Sequence, residues 1–103
     1  MQKLVKDFND NKGVHTKPMP PYARILDIQS ELGELAKEYL KHSKYGANEF
    51  ELEEEFKMEF GDVLYSLLSL GNELNIDSEL YLKKVLDKYS NRINQNNSMG
   101  SKQ

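Results

Sequence analysis

The chain of 103 residues contains no cysteine and no tryptophan. Without thiols, disulfide staples, thiolate metal sites and a cysteine nucleophile are all excluded. Histidine occurs only at His15 and His42, and neither stands three residues after a glutamate. The Glu-x-x-His pair of di-iron bundles is therefore missing. His-x-x-x-His zinc pairs are missing too, and a three-histidine site is impossible. No apolar run approaches the roughly 18 residues that span a bilayer. The segment Met1 to Asp7 lacks the long apolar stretch of a secretory signal. A basic excess is also lacking, because the net charge is -3, which argues against a nucleic-acid partner. There is no Gly-x-x-x-x-Gly-Lys-Ser/Thr loop, and no serine has the context of a catalytic triad. The default expectation from these absences is a cytoplasmic protein with no membrane segment.

What is present fits one small soluble domain, with 38% hydrophobic and 30% charged residues. A domain this small buries a modest share of its surface, so an oligomer interface would help it. Residues 3 to 10 form a short first helix with Leu4, Val5 and Phe8 on one side, broken at Asn11-Lys12-Gly13. All three prolines (Pro18, Pro20, Pro21) lie in the extended loop from His15 to Pro21. A second helix runs from about Tyr22 to His42, its apolar stripe formed by Ile25, Ile28, Leu32, Leu35 and Tyr39. Beside that stripe runs an acidic one of Asp27, Glu31, Glu34 and Glu38. A turn follows from Ser43 to Asn48. A third helix extends from near Glu49 to about Leu74, acidic in its first half and apolar from Phe60 to Leu70. Its apolar groups cover more than one face, so this half belongs at the centre of a bundle or in an interface. Asp77 or Ser78 caps a fourth helix bearing Leu80, Leu82, Val85, Leu86, Tyr89 and Ile93. The polar tail, residues 94–103, is expected to be flexible. The expected fold is all-α, a four-helix bundle, and the whole chain, 1–103, is one domain.

Two motifs share one grammar, Glu31-Leu32-Gly33-Glu34 and Glu59-Phe60-Gly61-Asp62. Each sets two carboxylates three residues apart on one helix face, where like charges repel. Each also places a glycine inside a helix, at a cost of about 1 kcal/mol relative to alanine. One acid pair on a surface helix is ordinarily a solvated face, and helical glycines ordinarily serve close packing. The repetition of both features points instead to a cation. Four carboxylates meeting between two helices make a hard oxygen site suited to Mg²⁺ or Mn²⁺. Magnesium usually shares its shell with phosphates, so the cluster suits a nucleotide's phosphate chain. Lys88 and Arg92 lie one helical turn apart and can bind phosphate oxygens. Cations near a helix C-terminus are also favoured by the helix dipole alone. The acidic run Glu49 to Glu55 has no such pattern and reads as solvated surface.

The order Glu-x-x-Glu, a gap of about two dozen residues, then Glu-x-x-Asp resembles the MazG-like family of nucleoside triphosphate pyrophosphohydrolases. Glu31 to Ala36 is similar to that family's first metal motif, and Glu59 to Tyr65 to its second. Asn75-Ile76-Asp77, with the following helix ending in Lys88-Tyr89-Ser90-Asn91-Arg92-Ile93, resembles its Lys-x-x-x-Arg segment. The likeness spans residues 22–93. It implies an all-α fold and Mg²⁺-dependent cleavage of an NTP or dNTP to the monophosphate and pyrophosphate. By that likeness Glu31, Glu34, Glu59 and Asp62 are metal ligands, and Lys88 and Arg92 contact phosphates. It also implies a homodimer or tetramer in which a neighbouring subunit helps the site. The chain departs from many relatives in having Leu86 where they carry asparagine, and in lacking a tryptophan to stack on the base. Phe8, Tyr22, Tyr45 and Tyr65 are the aromatic substitutes available. Glu34 or Glu38 is the candidate base that activates water. The competing readings are a catalytically idle nucleotide-binding or assembly module and a structural bundle with solvated acids.

Overall fold

The computed structural model describes residues 1–13, 20–43 and 53–96. Four helices make up these residues: α1 (Gln2–Lys12), α2 (Pro21–His42), α3 (Glu54–Glu73) and α4 (Ser78–Asn96). No strand occurs among the described residues, so the all-α expectation holds. None of the helices is long and apolar enough to cross a membrane. The expected loop at residues 15–19, His15 itself, most of the Ser43 to Asn48 turn with Tyr45, the acidic start at 49–52 and the tail 97–103 lie outside the described residues.

Local chemistry sets most helix ends. Gly13 takes a left-handed conformation (φ 65°) and its N–H reaches the carbonyls of Asn9 and Asp10, closing α1. Asn11 and Lys12, expected to break the helix, are its last residues. Pro21 begins α2, where a proline's missing N–H costs nothing. Helix α3 begins at Glu54, five residues later than the acidic composition suggested, and Glu53 is extended. Glu54 and Glu55 then sit in its first turn, where carboxylates favour the positive end of the helix dipole. After Leu74, Asn75 adopts a positive φ of 55°, a conformation asparagine accepts more readily than most residues. The Asp77 carboxylate then accepts the Leu80 N–H at 3.0 Å and caps α4.

Helix α3 is central, with α1 and α2 each packed antiparallel along it. The α2–α3 seam is fixed near one end by Arg24, whose Nε and NH2 both donate to one oxygen of Glu73 (3.3 and 2.9 Å). Near the other end Tyr39 and Phe56 meet edge to face, with centroids 6.5 Å apart. The α1–α3 seam is polar. The Asn9 amide donates to Ser69 Oγ (3.2 Å) and accepts from the Tyr65 hydroxyl (2.6 Å). Phe8 stands edge-on to Tyr65, so these two aromatics are engaged in holding α1.

Helix α4 packs lengthwise against none of the other three. The radius of gyration is accordingly 17.1 Å, against about 13 Å for a compact domain of this length. One chain therefore does not close the expected bundle. No hydrophobic side chain among the described residues is buried, whereas Asn9, Arg24, Ser43, Ser66 and Ser69 are. The apolar half of α3 was expected at the centre of a bundle or in an interface, and within one chain Phe60 is 59% and Leu67 51% exposed. Helix α3 buries serine and glycine, which permit close approach, half-buries Val63, Leu64, Leu68 and Leu70, and leaves Phe60 and Leu67 exposed.

Arg24 is the strongest test of this seam. Arg24→Ala removes two hydrogen bonds to the largely covered Glu73 carboxylate, and loss of hydrogen bonds to a charged group costs about 2 kcal/mol. Urea unfolding should register that loss as a lower midpoint.

Candidate metal centre

Helix α2 carries the first acidic motif and α3 the second, and their antiparallel packing brings the two level. Carboxylate oxygens of Glu31, Glu34 and Glu59 all lie within 4.8 Å of one another. Oxygens that share a Mg²⁺ at about 2.1 Å are separated by about 3 to 4 Å, so a modest inward movement would make these three co-ligands. Asp62 is not in that tight group. It stands near enough for its charge to act on both Glu31 and Glu59. Glu38 lies one turn beyond Glu34 on α2 and acts in the same way on Glu59.

The electrostatics follow from this crowding. Removal from water, and then the charges of Glu34, Asp62, Glu59 and Asp27, push the Glu31 carboxyl above the ordinary carboxylate range. Removal from water, followed by Glu34, Asp62 and Glu38, does the same to Glu59. Among the described residues the charges that shift these two groups are all negative. One oxygen of Glu59, Oε2, is shielded from solvent and has no hydrogen-bond donor. A buried carboxylate oxygen without a donor is costly, and a cation would offset that cost. The donor set is all oxygen, which fits a hard divalent ion.

The glycines have no packing role within one chain. A Cβ built on Gly33 or Gly61 meets nothing within 4 Å. The close-packing explanation thus fails for both. Among these helical glycines it holds for Gly71, where a Cβ would stand 3.0 Å from Ser78 Oγ and 3.2 Å from Gln2 Nε2.

The basic pair is placed differently. Lys88 and Arg92 flank Tyr89 on α4, 5.5 and 5.8 Å from its ring centroid. Neither figures among the groups that shift Glu31 or Glu59. Because α4 runs along neither α2 nor α3, one chain does not bring these cations to the acids. Tyr22 is exposed at the start of α2. Sequence reasoning passed over Arg24 and Glu73, which fix the helices that carry the acids. Their spacing of 49 residues leaves no local signal by which to find them.

No family model matches the chain, and no solved structure matches it. The chain is similar to the uncharacterized protein YpjD of Bacillus subtilis (strain 168), with 36% identity over 75 residues. That match takes in 70% of this chain and 66% of the relative. The chain thus spans just under two thirds of the relative's length, and the relative's description carries no activity with it.

Proposed function

We propose that the protein is a Mg²⁺-dependent nucleoside triphosphate pyrophosphohydrolase that clears an NTP or dNTP to the monophosphate and pyrophosphate. One observation carries this reading: three carboxylates from two glycine-interrupted motifs converge within 4.8 Å, one of them with a buried oxygen that lacks a donor. The order of the motifs and their likeness to the MazG-like pattern add the substrate class. Glu31, Glu34 and Glu59 would hold the ion, with Asp62 completing the set. When bound, Mg²⁺ or Mn²⁺ would supply positive charge to the phosphate chain and lower the pKa of water. Glu34 or Glu38 would take the proton from the attacking water. The water oxygen would bond to the attacked phosphorus as the anhydride phosphorus–oxygen bond breaks, giving the monophosphate and pyrophosphate. Lys88 and Arg92 would hold phosphate oxygens, Arg92 with its two-pronged donor geometry.

The same reading calls for a homo-oligomer, a dimer or a tetramer. Leu67, Leu82 and Leu86 are each more than half exposed, and an interface that covers them would add the apolar burial one chain lacks. A second copy that covers these groups would also bring a neighbouring α4, with its cations, toward the acids.

Three outcomes test the proposal. Incubated with Mg²⁺ and a panel of NTPs and dNTPs, the protein should release pyrophosphate. Glu59→Gln should lose at least about a hundredfold in turnover while remaining folded; full activity in that variant removes the site from the mechanism.

The second outcome concerns pH. Glu31 and Glu59 are harder to ionise folded than unfolded, so the folded state binds more protons and its metal-free stability falls as pH rises. The metal-free melting temperature should accordingly climb as pH drops from neutral toward the ordinary carboxylate range. Added Mg²⁺ should stabilise the protein most at the upper end of that window. Glu59→Gln should flatten both trends, and a Mg²⁺-independent melting temperature in the unaltered protein contradicts the site.

Third, light scattering should give a mass at least twice the 12.0 kDa of one chain. Leu67→Glu, which puts a charge on the exposed apolar face, should shift that mass toward a single chain.

A further inference from the structure

The turn between α3 and α4 is held from outside, by the first residue of α1. The Gln2 amide donates from Nε2 to the Ile76 carbonyl at 2.6 Å. Its Oε1 accepts the N–H of Ser78, the first residue of α4, at 2.9 Å. The same residue's backbone carbonyl accepts from the Asn72 side chain on α3 at 3.1 Å. One glutamine thus ties the end of α3, the turn and the start of α4 together. Gly71 lies against this clamp, and a methyl group there would press on both Ser78 and Gln2.

The rest of α4 packs lengthwise against no other described helix of its chain. A helix rises 1.5 Å per residue, so Lys88 and Arg92 ride about 15 and 21 Å from the clamp. A tilt of about 10° at the turn would move Lys88 by roughly 3 Å and Arg92 by roughly 4 Å. Hydrogen bonds to phosphate tolerate much less than that.

We propose that Gln2 is a positioning residue. Its bridge between the Ile76 carbonyl and the Ser78 N–H sets the direction in which α4 leaves α3, and so places the phosphate-binding Lys88 and Arg92. The role assigned to those two cations rests on the function proposed above; the clamp itself does not.

The absence of cysteine allows a clean measurement. Spin labels on Lys41→Cys in α2 and Lys84→Cys in α4 report the angle between the helices, with labelled protein diluted into unlabelled so that only intrachain distances register. Gln2→Met keeps the length of the side chain and removes both hydrogen bonds. It should shift or broaden the distance distribution and raise KM for the nucleotide severalfold with little change in kcat, the pattern of lost ground-state binding. Gly71→Ala, which favours the helix but crowds the clamp, should do the same and serves as the test should Gln2→Met fail to fold. Lys3→Ala, on the exposed side of α1, should change neither reading. Distances unchanged in both variants overturn the clamp. A shifted distance with an unmoved KM overturns the positioning role. If the unaltered protein hydrolyses no nucleotide, the proposed function falls, and the spin-label distances still decide whether Gln2 directs α4.

Discussion

Mutual repulsion among carboxylates is the constraint around which this protein is arranged. Glu31, Glu34 and Glu59 crowd together, with Asp62, Asp27 and Glu38 close enough to add to their field. Two helices bearing such charges would separate unless fixed elsewhere. The fixing lies on either side of the cluster. Arg24 and Glu73 pin one end of the α2–α3 seam, and the Tyr39–Phe56 ring contact pins the other. The attraction at these two points holds the acids at a separation that water alone would not favour.

The same helix that meets the acids of α2 also carries α1 and launches α4. Its residues divide the work by size. Ser66, Ser69 and Gly71 are buried and let neighbouring backbones come close. Phe60 and Leu67 face outward. Among the described residues the few fully buried side chains are polar, and the apolar ones are half-buried or exposed, unlike an ordinary small domain. Such an arrangement makes sense for a protomer that completes itself against another copy, as we propose, and it explains why α4 leaves its own chain.

Much of this was legible in the sequence, and the limits have physical causes. The four helices follow from apolar spacing, and the end of α2 lies where the pattern put it. The α3 start was read too early because a run of glutamates favours helix without saying where the first turn begins. Of the two places expected for the apolar half of α3, a bundle centre or an interface, one chain does not supply the first. Periodicity identifies an apolar face but not whether the covering surface belongs to the same chain. The acidic motifs could be found because each pair is local, three residues apart, and repeated. The Arg24–Glu73 tie and the Gln2 clamp could not, since each joins residues 49 or more apart through polar side chains. The glycines were informative in one direction only: their cost in a helix marked the motifs, but open space around Gly33 and Gly61 needed coordinates.

The way α1 is attached has a thermal consequence. Amide and hydroxyl groups of Gln2, Asn9, Tyr65 and Asn72 make the joint, with little hydrocarbon fully covered beside them. Exposed hydrocarbon raises heat capacity, whereas exposed polar surface lowers it. The two contributions oppose one another when α1 lifts away. Local opening of this helix would leave a faint calorimetric trace, and exchange of its amide protons with solvent is where the event would register.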